Sequence, residues 1–141
     1  RWVSLLDAGA DSLFKNREVC QTSKAELTPI TCARGASKSQ LSEFVVAAFL
    51  YFTKNMPSFV QHQKAYEWKP VQHSMMKGKT VLIVGLGENG KELAKILKAG
   101  FDMKVIGISK SAKSFEFADA NLPMQNLDEV LPQADYILNT L

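Results

Sequence analysis

The chain is poor in the residues from which disulfide scaffolds and metal centres are built. Its 141 residues include two cysteines, Cys20 and Cys32, and two histidines, His62 and His73. Two cysteines make no disulfide framework, and none of the four stands at a metal-ligand spacing. No metal site is assigned, and a reducing, cytoplasmic setting is expected. An excess of one charge is also missing: Lys and Arg exceed Asp and Glu by only +3. The lysines are spread along the chain, so no nucleic-acid partner is implied. The longest apolar stretch, Phe44 to Phe52, is far short of the roughly twenty residues that cross a bilayer, so no membrane partner is expected either. Internal repeats and low-complexity segments are lacking too. With 46% hydrophobic and 22% charged residues, the composition is that of a globular domain with a core.

What the chain does have is concentrated in one stretch. Thr80-Val81-Leu82-Ile83-Val84 is an apolar, largely β-branched run that leads directly into Gly85-Leu86-Gly87-Glu88-Asn89-Gly90. Leu93, Ala94, Ile96 and Leu97 then share one helical face, and Val105-Ile106-Gly107-Ile108 is a second apolar run. Strand, G-x-G-x-x-G turn, helix and strand within about thirty residues form the context of a dinucleotide site. Gly85 would permit the tight turn, Gly87 a close approach of pyrophosphate, and Gly90 close helix–strand packing. The helix N-terminus would offer N–H groups and partial positive charge. Gly85 to Lys91 also spells most of a P-loop, but Glu92 occupies the position where magnesium needs Ser or Thr, so that reading ranks below the first.

The end of the second strand bears on the choice of cofactor. An NAD site places a carboxylate about twenty residues after the glycines. Here that position is Ser109, in Ser109-Lys110-Ser111, with Lys113 close behind. Hydroxyls and a lysine suit a 2′-phosphate, which favours NADP over NAD. A solvated basic loop is the plain alternative.

Elsewhere, short strands are expected at Trp2–Leu6 and, broken by Pro29, at Leu27–Thr31, with a turn at Asp7–Asp11 between them. Leu13, Phe14 and Val19 are apolar, and Cys32 to Ser39 reads as a loop. A long helix follows, capped by Ser37 or Ser39, with Glu43 in its first turn. Its apolar residues Leu41, Phe44, Val45, Ala48, Phe49 and Phe52 predict a largely buried helix that also meets a second subunit. Pro57 interrupts it or starts the next amphipathic stretch, which runs from Phe59 to Trp68 and ends before Pro70. His62 and His73 read as surface or packing residues. Residues 71–78 connect to the glycine motif, and 111–123 show little periodicity beyond a turn at Phe115–Phe117 covering the sheet. Asn126 is placed to cap a short helix over 127–131, stopped by Pro132, before a last strand at Ala134–Leu138. Alternating strands and helices point to an α/β fold, a Rossmann-type doubly wound parallel sheet. Arg1 opens inside an apolar run, and the last strand just reaches its edge at Leu141. The chain is therefore expected to be a truncated piece of a longer protein.

Lys77 to Ala94 resembles the cofactor segment of the D-isomer-specific 2-hydroxyacid dehydrogenases, as does Leu127 to Tyr136. Ala33-Arg34-Gly35 and Ser42-Glu43-Phe44 are similar to that family's entry into its cofactor domain, and Asp7 to Asp11 to its substrate-side loop. The resemblance implies a boundary near residue 35. Residues 1–35 would be the tail of a flavodoxin-like substrate domain, and 36–141 an incomplete NAD(P)-binding domain. It implies hydride transfer between NAD(P)H and a small 2-oxo or 2-hydroxy acid, most like the glyoxylate and hydroxypyruvate reductases, and a homodimer.

Residue by residue, the resemblance assigns Gly85, Gly87, Glu88, Asn89 and Gly90 to the pyrophosphate loop. It assigns Ser109, Lys110 and Ser111 to the ribose-discriminating end of the second strand. Asn139, Thr140 and Leu41 would lie near the cofactor, and Ala8 and Gly9 near the substrate carboxylate. Glu88-Asn89 departs from the family's usual Arg-Ile type pair. The resemblance places the family's catalytic Arg, Glu and His beyond Leu141, and Arg34, His62 and His73 match none of them, so no catalytic residue is assigned and this stretch alone is expected to be inactive. A non-catalytic dinucleotide-binding module, a sensor or corepressor, and an inactive gene fragment stand as rivals.

Overall fold

The structure, a computed structural model, describes residues 2–11, 15 and 29–141. Two compact units result, Arg1–Ser37 and Lys38–Leu141. The expectations for Leu13, Phe14, Val19, Cys20, Leu27 and Thr28 lie outside the described residues.

In the first unit, β1 (Val3–Leu5) pairs in parallel with β2 (Ile30–Cys32), Val3 opposite Ile30 and Leu5 opposite Cys32. Pro29 stands immediately before β2, at a strand end as a proline suits, and the part of the expected strand that precedes it lies outside the described residues. The Pro29 carbonyl accepts the Val3 N–H at 3.0 Å, and the residue, lacking an N–H of its own, fits a strand start. Cys32 closes that strand rather than opening the loop. The Ala33 N–H donates to the Asp7 carbonyl at 3.0 Å and ties the Asp7–Asp11 turn to the end of β2.

The second unit opens with two helices, α1 (Lys38–Thr53) and α2 (Met56–Lys64). Strand β3 (Thr80–Val84), α3 (Glu88–Phe101) and β4 (Lys104–Ile108) follow. Then come β5 (Ala120–Leu122), α4 (Leu127–Val130) between two 3₁₀ turns, and β6 (Tyr136–Asn139). The strands form one sheet in the order β5-β4-β3-β6, and every pairing is parallel. Both faces of the central strands are covered. Val81, Ile83 and Val105 pack with Leu93, Ala94 and Leu97 of α3 and Phe49 of α1. On the other face Leu82, Ile106 and Ile108 pack with Val130 of α4. This explains why β3 and β4 read as continuous apolar runs rather than alternating ones, and it is the doubly wound arrangement. Each of these Val, Leu, Ile and Phe side chains contributes about 1.5–3 kcal/mol by leaving water.

The structure departs from expectation at several elements. Helix α1 begins at Lys38, so Ser39 lies inside it, and its first turn holds no acid because Glu43 falls in the second turn. It is not largely buried. Its packed line is Ser42, Phe49 and Thr53, while Phe44 and Phe52 are 73% and 72% exposed. The apolar residues span more of the helix circumference than one sheet face covers. Pro57 opens α2 at its first turn. That helix ends at Lys64, and Tyr66, at φ +55°, turns the chain away. Tyr66 and Trp68 therefore stand beyond the helix and fully exposed. Residues 120–122 form a strand that periodicity missed. Asn126 precedes α4 without capping its backbone, and its Nδ2 instead donates to Glu129 Oε2 at 2.8 Å. Pro132 does not stop that helix at Leu131, since α4 ends at Val130 and Pro132 lies in the closing 3₁₀ turn.

Edge strands β5 and β6 are entered in the same way. The Asp119 N–H donates to the Val105 carbonyl at 2.8 Å, and its carboxylate accepts the Val105 N–H at 2.7 Å. The Asp135 N–H donates to the Thr80 carbonyl at 2.9 Å, and its carboxylate accepts the Thr80 N–H at 2.8 Å. A lysine backs each carboxylate: Lys98 at 2.6 Å from Asp119 and Lys79 at 2.9 Å from Asp135. Partial burial works against the Asp119 charge, but the Lys98 and Val105 hydrogen bonds outweigh it and hold that carboxyl below the usual range. For Asp135 the Thr80 N–H is the chief cause of the lowering, then Lys79. Among the described residues no helix is long and apolar enough to cross a membrane.

Candidate functional site

The C-terminal ends of β3, β4 and β6 meet around Gly85. Its φ of +103° lies in the region that side chains rarely enter, and the chain turns there out of β3. The Gly85 N–H donates to the Ile108 carbonyl at 2.7 Å. The Gly85 carbonyl accepts the Thr140 hydroxyl at 2.6 Å, and the Thr140 N–H donates to the Val84 carbonyl at 2.9 Å. Three strand ends thus hold both polar groups of the turn.

The other two glycines differ in why they are glycine. A Cβ on Gly90 would overlap the Gly85 carbonyl oxygen, so the chain's own packing requires glycine there. A Cβ on Gly87 would meet nothing within 4 Å, and the Gly87 backbone is extended at φ −77°. Among the described residues, no contact explains that glycine. The space before it is open, and it caps α3 without offering a side-chain acceptor to the first-turn amides. Open space beside those N–H groups is what an approaching pyrophosphate needs, so the residues present fit a dinucleotide.

Glu88 and Asn89 begin α3, with Glu88 exposed and the one acid of the first turn. Its charge suits the helix dipole but opposes a bound phosphate. Glu92 pairs loosely with Lys38 at 3.8 Å. Lys91 lies 5.7 Å from the Phe115 ring centre.

At the end of β4 the three candidates separate into two kinds. Ser109 is half-buried and engaged: its Oγ donates to Asn121 Oδ1 at 3.0 Å and accepts the Ala112 N–H at 3.2 Å. Lys110 and Ser111 are exposed at the tip of the loop. Asn121, on β5, also donates its Nδ2 to the Lys113 carbonyl at 2.6 Å, and Ala112 takes a left-handed φ of +47°. Asn121 carries no motif signal, because β5 is a three-residue, half-buried strand with no apolar pattern.

Asn139 is exposed and accepts the Leu141 N–H at 3.2 Å through its Oδ1. Leu41 is 45% exposed on α1. Ala8 and Gly9 belong to the first unit, where both are exposed. His73 is exposed, and His62 is half-buried with no partner for Nδ1 among the described residues.

Residues 46–141 match the family model described as "D-isomer specific 2-hydroxyacid dehydrogenase, NAD binding domain". Among solved structures, a D-isomer specific 2-hydroxyacid dehydrogenase family protein from Aeromonas salmonicida is 30% identical with a TM-score of 0.86, covering 99% of this chain and 43% of its own. An NADPH-dependent glyoxylate/hydroxypyruvate reductase from Sinorhizobium meliloti is 27% identical with a TM-score of 0.67, covering 74% of this chain and 40% of its own. A phosphoglycerate dehydrogenase from Lactobacillus plantarum is 25% identical with a TM-score of 0.69, covering 100% and 44%. The chain spans less than half the length of these relatives. No curated protein matches it.

Proposed function

The chain belongs to the D-isomer specific 2-hydroxyacid dehydrogenase family, and from that we propose that it holds the dinucleotide site of an oxidoreductase acting on a small 2-oxo or 2-hydroxy acid. The observation that carries the binding half of this reading is Gly87, a glycine that no contact among the described residues requires, at a helix N-terminus between two parallel strands. The first-turn amides of α3 take the pyrophosphate there, with Glu88 and Asn89 flanking it and Thr140 holding the turn from behind. Asn139 runs beside the cofactor, and Leu41 lies near it on α1. When bound, the nicotinamide supplies or accepts the hydride.

NADP is preferred to NAD. No carboxylate stands at the end of β4, where it would repel a 2′-phosphate, and Lys110 and Ser111 are free at the loop tip to meet one. The Sinorhizobium meliloti relative is NADPH-dependent by name and acts on glyoxylate or hydroxypyruvate, which supports the same substrate class here. Residues 1–35 contribute part of a substrate domain, with the Ala8 and Gly9 backbone facing the substrate carboxylate, and residues 36–141 form the cofactor domain. A reducing, cytoplasmic location fits this chemistry.

A second copy of the chain is the natural partner for the exposed aromatic face.

The direct test is NADPH oxidation by the intact protein, followed at its absorbance band with glyoxylate or hydroxypyruvate added. Turnover that requires both protein and 2-oxo acid is expected. Tight NADPH binding without turnover on any short 2-oxo acid would favour a non-catalytic dinucleotide-binding module instead.

A further inference from the structure

Resting on the NADP reading above, we infer that Asn121 is a positioning residue for cofactor choice. The loop that carries Lys110 and Ser111 has little support of its own. It spans residues 109–113, of which Lys110, Ser111 and Lys113 are exposed and Ala112 is half-buried. It also includes a non-glycine residue, Ala112, in the left-handed region at φ +47°, a conformation that persists only when its surroundings impose it. The imposing contacts converge on one side chain. Asn121 accepts the Ser109 hydroxyl at 3.0 Å and donates to the Lys113 carbonyl at 2.6 Å, bracketing the loop at both ends. Ser109 passes the constraint inward by accepting the Ala112 N–H at 3.2 Å.

Asn121 is itself fixed, because β5 pairs with β4 and sets Asn121 opposite Gly107. The loop is therefore shaped before any ligand arrives. A preformed loop avoids the ordering cost that a flexible lysine loop would meet on binding a phosphate. Asn121 does this without touching the ligand. It belongs to the adjacent strand, ten or more residues downstream of the loop tip. Its influence falls on the part of the cofactor that distinguishes NADP from NAD, and the pyrophosphate turn at Gly85–Gly90 has separate supports in Ile108 and Thr140.

The test compares Asn121→Ala, Lys110→Ala and the unaltered intact protein by calorimetric titration with NADPH and with NADH. For Asn121→Ala the NADPH dissociation constant should rise about tenfold, as the loss of one or two net hydrogen bonds implies. The NADH constant should change less than about twofold, well inside the scale of a single such bond. Lys110→Ala should show the same selective loss. A purely structural role for Asn121 would weaken both cofactors together, and that result, or no change with either, overturns the inference while Lys110→Ala remains selective. If Lys110→Ala also fails to discriminate, the NADP reading falls and the inference with it. Should Asn121→Ala fold poorly, Ser109→Ala removes the same bracket at its inner end and should give the same selectivity; equal losses for both cofactors there count against the proposal.

Discussion

Gly87 and Gly90 sit three residues apart in one motif, yet the structure gives them different reasons to exist. Gly90 is held by contact, since any Cβ there overlaps the Gly85 carbonyl. Gly90→Ala should therefore destabilise the fold by roughly 1–3 kcal/mol, the usual cost of overpacking, visible as an earlier midpoint in urea. Gly87→Ala meets open space and should leave that midpoint nearly unchanged. Its cost should appear only with ligand, as about a tenfold weaker NADPH affinity, some 1.4 kcal/mol. Equal urea midpoints for the two variants would mean that the contact geometry of the turn is misread. The same division separates Ser109, engaged within the chain, from Lys110 and Ser111, free at the surface. Residue type groups all three alike; hydrogen bonding adds that Ser109 is engaged within the chain, whereas Lys110 and Ser111 are exposed.

At the level of elements, the two aspartates that open β5 and β6 are the main pH-sensitive joints. Both carboxyls are held below the usual aspartate range in the folded protein, by hydrogen bonds from a backbone N–H and a lysine, so the unfolded chain binds more protons at acid pH. Their contribution is complete above the unfolded value, near 3.9, and is lost as the pH falls through the lower folded values. Lys79 is shifted upward by the same Asp135 pair, so its contribution is complete below its unfolded value and fades as the pH rises through the higher folded one. Thermal melts across pH should show an acid limb that becomes shallower in Asp119→Asn and in Asp135→Asn. An unchanged limb in both variants would remove these clamps from the account.

Elements differed in how far the sequence revealed them, for physical reasons. β3, α3 and β4 were legible because burial on both sheet faces leaves an unbroken β-branched run, and the glycines mark the turn. β5 was not: Ala120-Asn121-Leu122 is short and half-buried, held at the edge by Asp119 rather than by an apolar pattern. With it went Asn121. The α1 face was legible as apolar but not as exposed, since counting Phe and Leu residues does not say how much surface is available to cover them.

At the scale of the whole molecule, the proposed function rests on two parts of the second unit. The C-terminal strand ends, with the Gly85–Gly90 turn and the loop after β4, are the proposed cofactor site. Exposed aromatics of α1, such as Phe44 and Phe52, are the surface proposed for a second copy. Light scattering of the intact protein should give twice the monomer mass, and Phe44→Glu with Phe52→Glu should shift it to the monomer; a monomer in the unaltered protein would remove the dimer from the account. The cofactor turn carries the heavier claim. Its most direct test is calorimetric titration of the intact protein with NADPH and NADH in turn. Both should bind, NADPH about tenfold more tightly, a difference of some 1.4 kcal/mol. No binding of either, or NADH binding as tightly as NADPH or more so, would contradict it.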